Sequence, residues 1–150
     1  MDLKNDTNFF VAFRKLFRAY TDFQMDAVKK QNYDLSPNEV VVLANLDTFS
    51  TASEIAADFE VSKALVSRSV KLLKQKDLIE VNISEVDKRE QTLSLTREGE
   101  KIADIVSEAN ENFCKVVLKN FENNEKEVLH ALLNMMLNNL DVGDLNGKQS

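Results

Sequence analysis

Between Thr51 and Gly99 the spacing of apolar residues changes twice, and this succession restricts the fold more than any other feature. TASEIAADFEVSKALVSRSVKLLKQKDLI reads as a short helix, a tight turn and a longer basic helix. From Leu78 to Ile83 the apolar residues Ile79, Val81 and Ile83 alternate as in a half-buried strand, and Thr92 to Leu95 supplies a second. The charged stretch SEVDKREQ joins the two as a hairpin, after which Thr96 can cap a further helix. A small helical core carrying a two-stranded projection is the expected result.

Scarce chain breakers extend this reading to the whole chain. Three Gly and one Pro in 150 residues predict mostly helix with short connections, a mainly α fold with a small β-wing. No glycine precedes Gly99, so no glycine-rich phosphate loop can form. The one histidine, His130, lies in the helical run EVLHALLNMM and reads as structural or surface; the one cysteine is Cys114. They leave no zinc cluster, no Ser/His/Asp triad and no disulfide framework, so catalytic residues, metal ligands and cofactors are all expected to be none. Apolar runs of only a few residues predict no membrane span, and the N-terminus lacks a secretory pattern. With a single cysteine, the expected location is the cytoplasm.

Charge is unevenly distributed along an acidic chain of net charge −6. Residues 1–61 carry 6 basic and 10 acidic side chains, and residues 90–150 carry 6 and 11. Residues 62–89 carry 7 basic side chains (Lys63, Arg68, Lys71, Lys74, Lys76, Lys88, Arg89) against 4 acidic, the only net-positive segment. Positive charge concentrated on a helix and hairpin suits a nucleic-acid surface, and the acidic remainder discourages indiscriminate binding.

Helix starts are marked by side chains that can accept from free backbone amides. Ser36-Pro37-Asn38-Glu39 and Thr51-Ala52-Ser53-Glu54 both have capping-box form, and Ser62 can cap the basic helix to about Lys76. Ile55, Ala56 and Phe59 are expected inward on the first helix of the pair, and Leu65, Val66, Val70, Leu72 and Leu73 on the second. Ser62, Lys63, Ala64, Ser67, Arg68 and Lys71 form the outward face. Short or basic side chains on the first turns of a helix suit the major groove, where Arg68 could fork onto guanine and Ala64 could meet a thymine methyl. Lys71, Lys74 and Lys76 suit phosphates or solvent. Thr51 and Ser53 complete the DNA-facing candidates on the helix-turn-helix. Lys88 and Arg89 at the hairpin tip could enter the minor groove, with Asp87 orienting the guanidinium or the hairpin.

This pattern, a winged helix-turn-helix over residues 36–99, resembles the MarR family of bacterial transcription regulators. The resemblance rests on SEIAADFEVSKALVSRSVKLLKQKDLI, on Asp87-Lys88-Arg89 as the family's D-x-R wing, and on Leu93-Ser94-Leu95-Thr96-Arg97-Glu98-Gly99 as its L-x-L-T-x-x-G. Glu60 departs from the pattern, standing in the turn where glycine is usual and a positive φ is needed. The resemblance implies a single MarR-type domain over 1–150, with long dimerisation helices at 7–32 and 96–141 flanking the winged helix.

Outside the winged helix the sequence carries wide apolar stripes. Phe9, Phe13, Leu16, Phe17, Tyr20, Phe23 and Val28 recur at helical spacing over 7–32, and Ile102, Ile105, Val106, Ala109, Phe113, Val116 and Val117 do so after the wing. Asn124 with Glu127 is expected to open a last helix with Val128, Leu129, Leu132, Leu133, Met136 and Leu140 inward. A homodimer would cover such surface and present two recognition helices to a pseudo-palindrome in double-stranded DNA. The family's usual mechanism is repression relieved by a small-molecule effector between the dimer helices and the winged helix, or by cysteine oxidation. Phe13, Phe17 and Phe49 are the candidates for such a pocket. Cys114 lies far from the N-terminal position usual for thiol sensing and is expected to be buried or half-buried. The competing reading is a winged helix used for protein–protein contact without DNA binding.

Overall fold

The structure, a computed structural model, describes residues 3–83 and 91–141. Its elements run α1 Leu3–Lys30, α2 Pro37–Asn45, α3 Ala52–Asp58, α4 Lys63–Gln75, β1 Ile79–Ile83, β2 Gln91–Leu95, α5 Arg97–Val117 and α6 Asn123–Asp141. The chain divides into two units within α5, one ending at Phe113 and the other beginning at Cys114.

Local capping sets the helix starts of the first unit. Ser36 Oγ accepts from the Glu39 amide, and Glu39 Oε2 accepts in return from the Ser36 amide at 2.8 Å. Thr51 and Glu54 form the same reciprocal pair on α3, and Ser62 Oγ accepts from the Leu65 amide at the start of α4. Each cap satisfies amides that the first helical turn cannot, and is worth ~1 kcal/mol. Glu60 in the α3–α4 turn has φ 50°, so the turn does take the left-handed conformation that glycine would adopt without strain.

Val28, Val40, Leu43, Ile55, Leu73, Ile102 and Val106 are fully enclosed and join α1, α2, α3, α4 and α5 around one core, with Val66, Leu78, Ile79 and Leu93 beside them. β1 and β2 pair antiparallel with Ile79 opposite Leu95, Val81 opposite Leu93 and Ile83 opposite Gln91. The Leu93 amide also donates to Ser50 O at 2.7 Å, tying the hairpin to the loop before α3.

Packing explains the T-x-x-G motif after β2. The Thr96 amide donates to Leu78 O at 3.1 Å, the Thr96 hydroxyl donates to Asp77 O at 2.8 Å, and the hydroxyl oxygen accepts from the Gly99 amide. These bonds press the first turn of α5 onto the α4–β1 loop. A Cβ on Gly99 would lie 2.0 Å from Leu78 O, so only glycine fits.

Several expectations are corrected. α1 begins at Leu3 and ends at Lys30, and α6 opens two residues early, with the Glu122 amide donating to Glu125 Oε2 in place of an Asn124–Glu127 pair. Phe59 is 37% exposed and Leu72 39% exposed. Each is only partly covered by its neighbours. Lys76 does not face phosphate or solvent alone: its Nζ donates to Glu39 Oε1 at 2.7 Å and Asp34 O at 2.8 Å. Glu39 is only 3% exposed, so the ammonium supplies the countercharge that a buried carboxylate requires. Burial pushes the Glu39 carboxyl up, but the hydrogen bonds from Lys76 and Ser36 outweigh it and hold it below the ordinary glutamate range. Cys114 is exposed, not buried. So are Val128, Leu129, Leu132, Leu133, Met136 and Leu140 of α6, which no element of its own unit covers.

Among the described side chains of α1 only Gln24 and Val28 are buried, and Phe9, Phe10, Phe13, Leu16 and Phe17 remain exposed. Among the described residues no helix is long and apolar enough to cross a membrane.

Candidate nucleic-acid interface

The DNA-facing candidates fall on one side of α4 because its sequence separates the two faces at helical spacing. Val66, Ser69 and Leu73 point into the core, and the Ser69 hydroxyl is satisfied internally by Leu65 O. Ser62, Lys63, Ala64, Ser67, Arg68 and Lys71 are all exposed. Lys63, Ser67 and Lys71 follow one another by four residues and Ala64 precedes Arg68 by four, so they share a surface stripe. Among the described residues none pairs with Lys63, Arg68 or Lys71. Their charges are therefore available to an anionic partner, and the uncapped amides of the first turn add partial positive charge at the same end.

Ser53 is exposed on the first turn of α3. Thr51 is half-buried, and its hydroxyl is engaged by Glu54, the oxygen accepting from the Glu54 amide. The amides of Ser50 and Thr51 and the Thr51 hydroxyl hold the Glu54 carboxyl low and ionised, fixing the α2–α3 loop beside the interface. Asp87, Lys88 and Arg89 lie outside the described residues. The hairpin that leads to them leaves the core at Ile83 and Gln91, where Ile83 is exposed.

A cleft of about 400 Å³ opens behind the helix-turn-helix, between α1, α2, the end of α3 and α5. Phe17, Tyr20, Gln24 and Met25 come from α1, Asn38, Val41 and Asn45 from α2, Phe59 from the α3–α4 turn, and Asn110 from α5. Gln24 Nε2 donates to Tyr20 Oη at 2.9 Å and to Asn110 Oδ1 at 2.7 Å, forming a polar floor. Tyr20 and Phe23 meet Phe113 edge-on, with ring centroids 5.4 and 5.7 Å apart. Phe17 alone of the three aromatic candidates lines a described cavity. Phe13 is exposed and stacks on Phe9, and Phe49 is half-buried against the core. Gln24, Asn38, Phe59 and Asn110 had no local signal in the sequence, since Gln24 and Asn110 are 86 residues apart. The Tyr20–Gln24 spacing of four was the only legible part. No group of three His, Cys, Asp or Glu side chains that could hold a metal ion occurs among the described residues.

The MarR family model matches residues 33–90, from the α1–α2 link to the far side of the hairpin. Over those residues the chain is similar to the MarR family. Solved structures extend this MarR likeness over nearly the whole length. A MarR/EmrR family transcriptional regulator from Acinetobacter sp. ADP1 superposes with a TM-score of 0.76 at 25% identity, over 95% of this chain and 100% of that one. Staphylococcus aureus MarR, solved in complex with salicylate and kanamycin, gives 0.76 at 23%, over 91% and 93%. The transcriptional regulator SlyA gives 0.77 at 17%, over 88% and 93%, a likeness of fold. No curated protein matches the chain by sequence.

Proposed function

We propose that this chain is a sequence-specific DNA-binding transcription regulator, a cytoplasmic homodimeric repressor that reads a pseudo-palindromic operator and is released by a small-molecule effector. The observation that carries this reading is the outward face of α4. Three cations that pair with nothing among the described residues (Lys63, Arg68, Lys71) and three short side chains (Ser62, Ala64, Ser67) lie together on the first turns of a helix whose opposite face anchors the core. Lys63 and Lys71 serve phosphates, Arg68 reads a base edge, and Lys88 and Arg89 carry the wing into the adjacent minor groove. The exposed apolar faces of α1 and α6 favour the homodimer: Leu132, for example, is 52% exposed within an otherwise regular amphipathic pattern. A two-fold pair would set two copies of α4 about one DNA turn apart, ~34–36 Å.

The cleft behind the helix-turn-helix is the place for an effector, because its walls belong both to the long helices and to the α3–α4 turn. A ligand bound there shifts DNA affinity to the extent that it prefers the DNA-incompetent arrangement. Gel-shift titration against the upstream region of its own gene tests the function. Arg68→Ala and Arg89→Ala should each weaken the complex by ~5- to 100-fold, as expected for lost base or groove contacts. Binding that ignores both substitutions favours a protein–protein module and removes the DNA reading.

A further inference from the structure

The cleft has a chemical character that narrows what can occupy it. Among the described residues no Lys, Arg, His, Asp or Glu lines it, and Tyr20 is the only lining group with an ionisable proton. Its polar atoms are amides and hydroxyls: Gln24 with Tyr20 and Asn110 on the floor, and Asn38 and Asn45 on the α2 side. A second slot of about 250 Å³ lies beneath α4, walled by Ile55, Leu65 and Val66. Phe17, Asn38, Val41 and Phe59 line both spaces, so the two share these residues as a partition. Phe59 is the C-cap of α3 and directly precedes strained Glu60, placing the partition on the turn that orients α4.

We propose that this cleft binds an uncharged effector with an aromatic or aliphatic body and one amide- or phenol-like end, and that it rejects carboxylates. The proposal rests on the effector-released DNA regulator described above and names the ligand class of its cleft. An ionised carboxylate placed here would lose water and gain no countercharge, whereas a neutral group can both donate to and accept from the amide floor. The apolar body displaces Phe17 and Phe59 toward the slot beneath α4, and the α3–α4 turn transmits that displacement to the DNA-facing residues.

Calorimetric titration of the full chain at pH 7 with salicylamide and with salicylate, its anionic counterpart, tests this directly. Salicylamide should bind at least ~10-fold more tightly, the ratio that one uncompensated polar loss of about 1.4 kcal/mol produces. Asn38→Arg, at an exposed rim position of α2, supplies the missing cation and should narrow or reverse that ratio. Gln24→Leu should weaken salicylamide by ~5-fold through the lost floor. Salicylate binding as well as salicylamide, an unchanged ratio in Asn38→Arg, or no binding of either compound would overturn the proposal. The parent reading is judged separately by ligand-free protein on DNA: operator binding that persists while both ligands fail leaves regulation by DNA contact standing and removes the neutral-effector cleft.

Discussion

Replacing Gly99 with alanine places a methyl group where Leu78 O already sits. The ideal Cβ lies 2.0 Å from that oxygen, so the first turn of α5 must retreat by about 1.4 Å to reach the 3.4 Å of ordinary contact. The retreat breaks or stretches two bonds anchored at the same loop, Thr96 amide to Leu78 O and Thr96 hydroxyl to Asp77 O. Two such bonds contribute ~1 kcal/mol each, and forced overpacking costs a further ~1–3 kcal/mol. Alanine returns ~1 kcal/mol as the better helix former, leaving a net loss of roughly 2–4 kcal/mol. Urea unfolding followed by far-ultraviolet circular dichroism, at one fixed protomer concentration, measures it. With a urea slope of ~2 kcal/mol/M, the midpoint should fall by roughly 1–2 M. A midpoint that stays or rises, as at an open helical glycine, would refute the packing account of the T-x-x-G motif.

Three further outcomes are expected. Glu60→Gly should stabilise the chain by ~1 kcal/mol by removing left-handed strain at φ 50°, read as a higher unfolding midpoint; a lower midpoint would show that Glu60 is held by something other than tolerated strain. Lys76→Met leaves Glu39 buried without its ammonium and should cost ~1–3 kcal/mol at neutral pH, the lysine head being partly exposed. Because the folded Glu39 carboxyl is held low, its contribution is present above the unfolded-state value and is lost as pH falls through the folded one. The gap between wild type and Lys76→Met should therefore close on acidification, and a gap independent of pH would contradict the ion pair. Leu132→Lys on the uncovered face of α6 should shift the chain from dimer to monomer in light scattering, with circular dichroism retained; an unchanged dimer would place the interface elsewhere.

What the sequence made legible was what a few neighbouring residues decide among themselves. Ser36 with Glu39, Thr51 with Glu54, and Ser62 mark helix starts because caps act within one turn, whereas the left-handed turn at Glu60 was expected only from the family pattern, which has glycine there. The outward face of α4 was equally readable, since helical spacing assigns sides before any packing is known. What eluded it depends on distant partners. Lys76 reads as one more surface cation until Glu39 and Asp34 are brought to it from the α1–α2 region. Phe59 and Leu72 have the apolar character of core residues, but the packing of neighbouring elements covers them only in part. The cleft floor joins Gln24 to Asn110 across most of the chain, and no local pattern announces such a pair. The α6 stripe was read as inward, which it is not within its own unit, because periodicity reveals an apolar face without saying whose surface covers it.

The central claim is that α4 reads DNA through charge and base contact, and the salt dependence of binding tests it most directly. Fluorescence anisotropy of a labelled fragment from upstream of its own gene should give an affinity that falls linearly with salt on logarithmic axes, by ~0.9 per phosphate neutralised. Arg68→Ala should lower affinity for that fragment by ~5- to 100-fold while leaving binding to unrelated DNA nearly unchanged. Affinity indifferent to salt, or equal on both fragments and unmoved by Arg68→Ala, would contradict the account.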